Sequence, residues 1–204
     1  MGVIKLSKEN RQMYFSSSFT TRSENDNEKY IEGYFAVFNQ QTELYRNAFE
    51  EIAQGAFDNS LKNNDIRCLF NHDTAKVLGR TGNNTLELRV DSHGLWGRVQ
   101  VNPNDKEAND IYARVQRGDI SGCSFGFNPI NEETEFRDDG AIKWRVLEAD
   151  TLEVSIVTFP AYPQTSIQAR KVDETQYKER QILQKKNNLK VRLKNYGTTT
   201  TNDK

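Results

Sequence analysis

One hydroxyl, one imidazole and one carboxylate in this chain sit in contexts suited to nucleophilic acyl transfer. Ser124 lies in Gly122-Cys123-Ser124-Phe125-Gly126-Phe127, between glycines on a run that otherwise reads as a buried strand. Successive side chains of a strand point to opposite faces. Cys123, Phe125 and Phe127 then share an apolar face, while Gly122, Ser124 and Gly126 share a second face with room for a substrate, so Ser124 is expected to be exposed there. A serine is a weak nucleophile until a base takes its proton, and a neutral imidazole suits that task near pH 7. His72, in Phe70-Asn71-His72-Asp73, is the candidate base; His93, in the turn Asp91-Ser92-His93-Gly94, reads as a solvent-facing turn residue. The third role is an acceptor that fixes the imidazole tautomer and stabilises its cation. Glu153 fits it: in Thr151–Thr158, Leu152, Val154 and Ile156 form the apolar face, and Glu153 and Ser155 the other.

Rivals exist for each role. Cys123 is a better nucleophile as a thiolate, but its parity with Phe125 and Phe127 points it into the core. Ser121 has the same parity. Asp73 adjoins His72 too closely to reach its ring, and Asp150 precedes the strand that would hold it. Backbone amides near Gly122–Ser124, or from another loop, are the expected oxyanion donors.

The elements that must position these groups can be read in outline. Tyr30–Phe38 reads as a central strand with apolar residues on both faces. Gly55–Lys62 reads as a short helical turn, and Ile66–Phe70 as a strand that delivers His72 at its end. Lys76–Val101 holds three strand-like runs separated by Gly82-Asn83-Asn84 and by the His93 turn. A helix opens at Asn102-Pro103-Asn104-Asp105 and runs to about Gln116, with Ala108, Ile111 and Val115 on one face and Gly118 past its end. Asp138-Asp139-Gly140 predicts a hairpin between Glu133–Arg137 and Ile142–Leu147, and Thr151–Thr158 a last strand stopped by Pro160. The fold class that results is a β-rich α+β domain with many short strands.

Composition narrows the function. The 204 residues suffice for one well-buried domain. Apolar residues make up 35%, and with glycine about 41%, under the usual 45–50% of globular chains. Residues 1–28, rich in Ser, Thr, Asn and charge, read as a flexible arm or loosely attached first strand. Residues 29–170 read as the catalytic domain. Residues 171–204 carry nine Lys or Arg against four Asp or Glu, a net of +5 against −6 for the rest, and read as a basic, removable tail; Asp173 and Gln176 could open a helix there. A net charge of −1 supplies no global field for nucleic acid or an anionic membrane. Two cysteines and two histidines give neither a disulfide framework nor a structural zinc site. No apolar run is long enough to span a bilayer. No cofactor and no metal are therefore expected.

Taken in order, His72 in its N-H-D setting, Val77-Leu78-Gly79-Arg80, Ser124 in S-F-G-F, and Leu152-Glu153-Val154-Ser155-Ile156-Val157-Thr158-Phe159-Pro160-Ala161 resemble the prohead maturation proteases of tailed bacteriophages. The resemblance spans about Tyr30 to Arg170. It departs from the general pattern in placing Cys123 before the serine. It implies a serine protease with Ser124 as nucleophile, His72 as general base and Glu153 as the orienting acid. It also implies a fold similar to the herpesvirus assemblins, a β-barrel surrounded by a few helices. The implied substrates are capsid and scaffold segments, cut inside the immature head in the host cytoplasm, with self-association and self-trimming of the tail. A non-catalytic assembly or scaffold module with the same fold is the alternative, and an esterase acting on small molecules a third.

Overall fold

The computed structural model describes residues 11–16, 19–25 and 28–159, together with 175, 178–179, 182–183 and 185–192. The chain divides into two compact units, 1–167 and 168–204. In the second unit the described residues are helical and exposed, Ile182, Leu183, Leu189 and Val191 among them.

Among its described residues the first unit contains eleven strands in two sheets: β1 (Arg11–Ser16), β2 (Thr20–Asn25), β3 (Glu28–Val37), β4 (Thr42–Tyr45), β5 (Ala48–Ile52), β6 (Arg67–Phe70), β7 (Asp73–Arg80), β8 (Leu86–Val90), β9 (Gly94–Val101), β10 (Gly122–Phe136) and β11 (Ile142–Val157). Two helices, α1 (Asp58–Asn63) and α2 (Lys106–Arg117), interrupt them. One sheet has the order β2-β3-β9-β8; the other runs β1-β10-β11-β5-β4, with β6 also paired to β11 and β7 paired to β6. The β-rich α+β class expected from the sequence is what forms. The sheets are two separate ladders rather than one closed barrel, and on this point the expectation is corrected. Closure fails because β11 has its second edge shared by two short strands, and β4 and β7 end their own branches.

That sharing organises the molecule. β5 pairs parallel with Ile142–Val146 and β6 parallel with Glu153–Ile156. The gap between them is filled by α1: Ala149 N–H donates to the Ala56 carbonyl at 2.9 Å, Ser60 Oγ to the Ala149 carbonyl at 2.9 Å, and Asn64 Nδ2 to the Thr151 carbonyl at 2.9 Å. Backbone polar groups buried between two strands are thereby satisfied.

Two long strands replace several short ones expected here. β10 has 15 residues and β11 16, forming one antiparallel hairpin with irregular register near Gly126/Phe127, Pro129 and Asn131. Pro129 cannot donate to a ladder and sits at such an irregularity. β4 and β5, a tight hairpin turning at Asn47 (φ 64°), carry no strong turn dipeptide and are missed by sequence pattern. Within the first 28 residues, read as an arm, β1 pairs with β10 and β2 with β3; the free edges of β10 and β3 supply a ladder that local composition does not signal.

The core is aromatic at its centre. Phe125, Phe127 and Phe57 are fully buried, with Phe57 edge-on to Phe125 at 5.2 Å and Phe125 stacked on Phe127 at 5.0 Å. Burying each such side chain contributes about 2–3 kcal/mol. α2 begins at Lys106 because the Asp105 side chain accepts from Ala108 N–H at 3.1 Å, and it ends on Gly118 at φ 86°. Ala108, Ile111, Tyr112 and Val115 are its buried face. Among the described residues no helix is long and apolar enough to cross a membrane.

The turn before β9 carries a titratable clasp. Tyr34 Oη donates to Asp91 Oδ2 at 2.6 Å, and Asp91 Oδ1 accepts from the amides of His93 and Gly94. The hydrogen bond to Asp91 raises the Tyr34 pKa, and the same bond from Tyr34, helped by the two amides, lowers that of Asp91. A depressed carboxylate contributes stability above its unfolded pKa and loses it as pH falls through the folded value; a raised phenol contributes below its unfolded pKa and loses it as pH rises through the folded value. Tyr34→Phe should therefore lower stability by up to about 1 kcal/mol between roughly pH 5 and 9. Thermal melts across pH should converge with the parent at both extremes.

Candidate active site

His72 stands where a turn forces it. Asn71 and His72, at φ 53° and 59°, are the two central residues of the β6–β7 hairpin, in which Phe70 pairs with Asp73. Two consecutive left-handed residues make a type I′ turn, whose twist matches the flanking strands. Neither residue is glycine, so the conformation carries a cost of the order of 1–3 kcal/mol per residue. The turn is held by the end of β11: Asn71 N–H donates to the Ile156 carbonyl at 2.9 Å, Asn71 Oδ1 accepts from Thr158 N–H at 2.8 Å, and Asn71 Nδ2 donates to Thr158 Oγ1 at 3.2 Å. Asn71 thus offsets the strain that places the imidazole over β11.

Glu153 stands where a bulge re-aims the strand. Glu153 is paired with Gly126 and Thr151 with Phe127, which leaves Leu152 as the extra residue. Leu152 is consequently turned out to solvent, 38% exposed, rather than sharing the apolar face of Val154 and Ile156. The carboxylate of Glu153 comes back over the Gly126 backbone, and a Cβ at Gly126 would collide with its Oε1. The glycine after Ser124 is thus space for the acid.

These devices converge. His72 Nδ1 and Glu153 Oε1 lie 2.7 Å apart, each side chain 12% exposed. Ser155 Oγ donates to Glu153 Oε2 at 2.6 Å and lies 3.3 Å from His72 Nδ1. Ser155 is the cross-strand partner of Ser124, as Glu153 is of Gly126, so Ser124, Ser155 and Glu153 occupy one face of the β10–β11 ladder. The negative charge of Glu153 is felt behind the sheet as well: Cys68, opposite Val154 on β6, has its thiol pKa pushed up by burial first and by Glu153 second.

Ser124 departs from expectation. It is fully buried rather than exposed, and its Oγ has no hydrogen-bond partner among the described residues, so no bond to His72 is made. Strand parity predicts one open face here. Instead β1 pairs along it, Tyr14 opposite Ser124, and both faces from Gly122 to Phe127 are buried.

The rivals fall elsewhere. Cys123 is fully buried on the face of Phe125 and Phe127. Ser121 is exposed and precedes β10, so strand parity never applied to it. Asp73 Oδ1 accepts from Ala75 N–H at 2.9 Å, and Asp150 from Asn64 Nδ2 at 2.8 Å. His93 packs edge-on against Tyr34 at 4.5 Å. No grouping of His, Cys, Asp and Glu suited to a metal ion occurs among the described residues. Ser155 is the site residue that sequence reasoning passed over; its parity with Glu153 was the available signal.

Ser124 thus shares the face of the β10–β11 ladder that carries Glu153, the partner of His72, and residues 17–179 match the caudovirus prohead serine proteases. The chain belongs to that family. It is 33% identical over 144 residues to the prohead protease of Enterobacteria phage HK97, an alignment covering 69% of this chain and 60% of that protein. The chain thus spans less than two thirds of this curated relative's length. The solved structure of the bacteriophage T4 capsid assembly protease is similar at a TM-score of 0.47 and 14% identity, covering 74% of this chain and 99% of that one.

Gly126→Ala should push the Glu153 carboxylate off His72. The expected result is a lowered melting temperature and loss of the hydrogen-bonded Nδ1 proton of His72 in NMR spectra, with the Phe125–Phe127 core signals retained.

Proposed function

We propose that this chain is a serine endopeptidase of the Ser-His-Glu type that cuts capsid and scaffold segments, and its own basic tail, within the immature phage head in the host cytoplasm. The observation that carries the reading is the 2.7 Å pairing of His72 Nδ1 with Glu153 Oε1 on the face that also bears Ser124. Family membership and the HK97 relative's name, a prohead protease, support substrates among the proteins of the prohead, of which the major capsid protein and scaffold segments are the ones proposed. Self-association of the protease is part of the same proposal, as is independence from cofactor, nucleic acid and membrane.

In the proposed chemistry Glu153 holds the imidazole with its Nδ1 proton inward, leaving Nε2 to take the Ser124 proton. The Ser124 oxygen attacks a peptide carbonyl, the imidazolium protonates the leaving amine, and water, deprotonated by His72, releases the acyl group. Because Ser124 is fully buried, the face it lies on must open to admit a peptide and bring Oγ to Nε2. Catalysis by such a site is gated by that opening.

Ser124→Ala should abolish both self-trimming and cleavage of a co-expressed capsid chain, while the melting temperature stays within a few degrees of the parent's. Cys123→Ala should still cut, more weakly folded. Intact-mass spectra of both chains decide the matter. Continued trimming by Ser124→Ala would overturn the assignment, and no cleavage by the parent with any head-protein partner would favour a non-catalytic assembly module.

A further inference from the structure

Glu153 has two carboxylate oxygens, and only Oε1 meets the imidazole. Oε2 is held by Ser155, whose Oγ donates to it at 2.6 Å. The same oxygen lies 3.3 Å from His72 Nδ1. A hydroxyl has one proton and two lone pairs; with its proton committed to Oε2, Ser155 can present only a lone pair to Nδ1. An ionised carboxylate can likewise only accept. Two acceptors therefore converge on Nδ1, which places the ring proton there and leaves Nε2 unprotonated.

We infer that Ser155 is a positioning residue that locks His72 in the Nδ1–H tautomer and fixes the rotamer of Glu153. The inference rests on the reading of His72 as the general base, since a base must present an unprotonated nitrogen to its nucleophile. Ser155 is not a second nucleophile. Its oxygen approaches the nitrogen already bonded to the acid, which has no free lone pair to receive a proton. Its burial is complete, and its place on β11, between β10 and β6 and opposite Ser124 and Leu69, holds the hydroxyl on a rigid ladder rather than a loop. The constellation is thus a four-member chain in which the hydroxyl of one strand orients the acid two residues earlier.

The test uses the full chain labelled with nitrogen-15 histidine. Only His72 and His93 contribute, and His93→Gln assigns them. The parent should show His72 as the Nδ1–H tautomer. Ser155→Ala should show a mixture of tautomers and should slow capture of Ser124 by an alkyl fluorophosphonate probe about tenfold, the scale of one neutral hydrogen bond. The loss should fall on the inactivation rate constant, with the probe's binding constant unchanged. Ser155→Cys preserves volume and packing with a weak donor and should resemble Ser155→Ala, whereas Ser155→Thr keeps the hydroxyl and should recover tautomer and rate. An unaltered tautomer and rate constant in folded Ser155→Ala or Ser155→Cys would overturn the positioning role while leaving Ser124 as nucleophile. Probe attached to a residue other than Ser124 in the parent would overturn the proposed function itself, and with it this inference.

Discussion

Everything at the candidate site depends on a hydrogen bond between groups 81 residues apart, His72 Nδ1 to Glu153 Oε1. Neither partner reaches the other by regular secondary structure. The histidine is carried by a turn with two left-handed residues, and the glutamate by a strand with an inserted residue. Both irregularities cost free energy, and both are offset by specific neighbours: Asn71 clasps Thr158, and Gly126 gives the carboxylate its space. Departures from ideal geometry thus gather where the chemistry is, as expected when local rules are broken for a purpose.

Much of this was legible in the residues. The parity of Cys123, Phe125 and Phe127 identified the face that packs into the aromatic core, and the Asn102–Asp105 opening, Gly118 stop and apolar stripe of α2 marked a helix whose start differed only by the length of its leading turn. The pairing of His72 with Glu153 was anticipated from a carboxylate held on an otherwise apolar strand and a histidine ending a strand in a polar setting. What stayed hidden was non-local. The bulge at Leu152, the fusion of β10 and β11 into a single long hairpin, and the pairing of β1 along Ser124 all depend on register between distant segments, which local periodicity does not encode. The expectation of an exposed Ser124 failed for this reason, since strand parity says which face a side chain takes but not what covers that face.

Burial also changes the electrostatic setting of the acid. Glu153 keeps company with His72, Ser155 and the thiol of Cys68, and the depth of the site makes each of these interactions stronger than its counterpart in water. A carboxylate in such surroundings needs every oxygen engaged, and the structure engages both, one through the ring and one through a hydroxyl.

The parallel pairing of β6 with the far end of β11 has a kinetic meaning. Cys68 meets Val154 and Phe70 meets Ile156, so this ladder can close only after β7 to β10 have emerged and the whole intervening polypeptide has been looped back. Contacts of such long sequence separation form slowly, because loop closure must be achieved before they reward it. The imidazole and the acid therefore cannot meet until the chain through β11 has been made and folded back onto β6. A nascent or half-folded chain has the residues of the site but not the site.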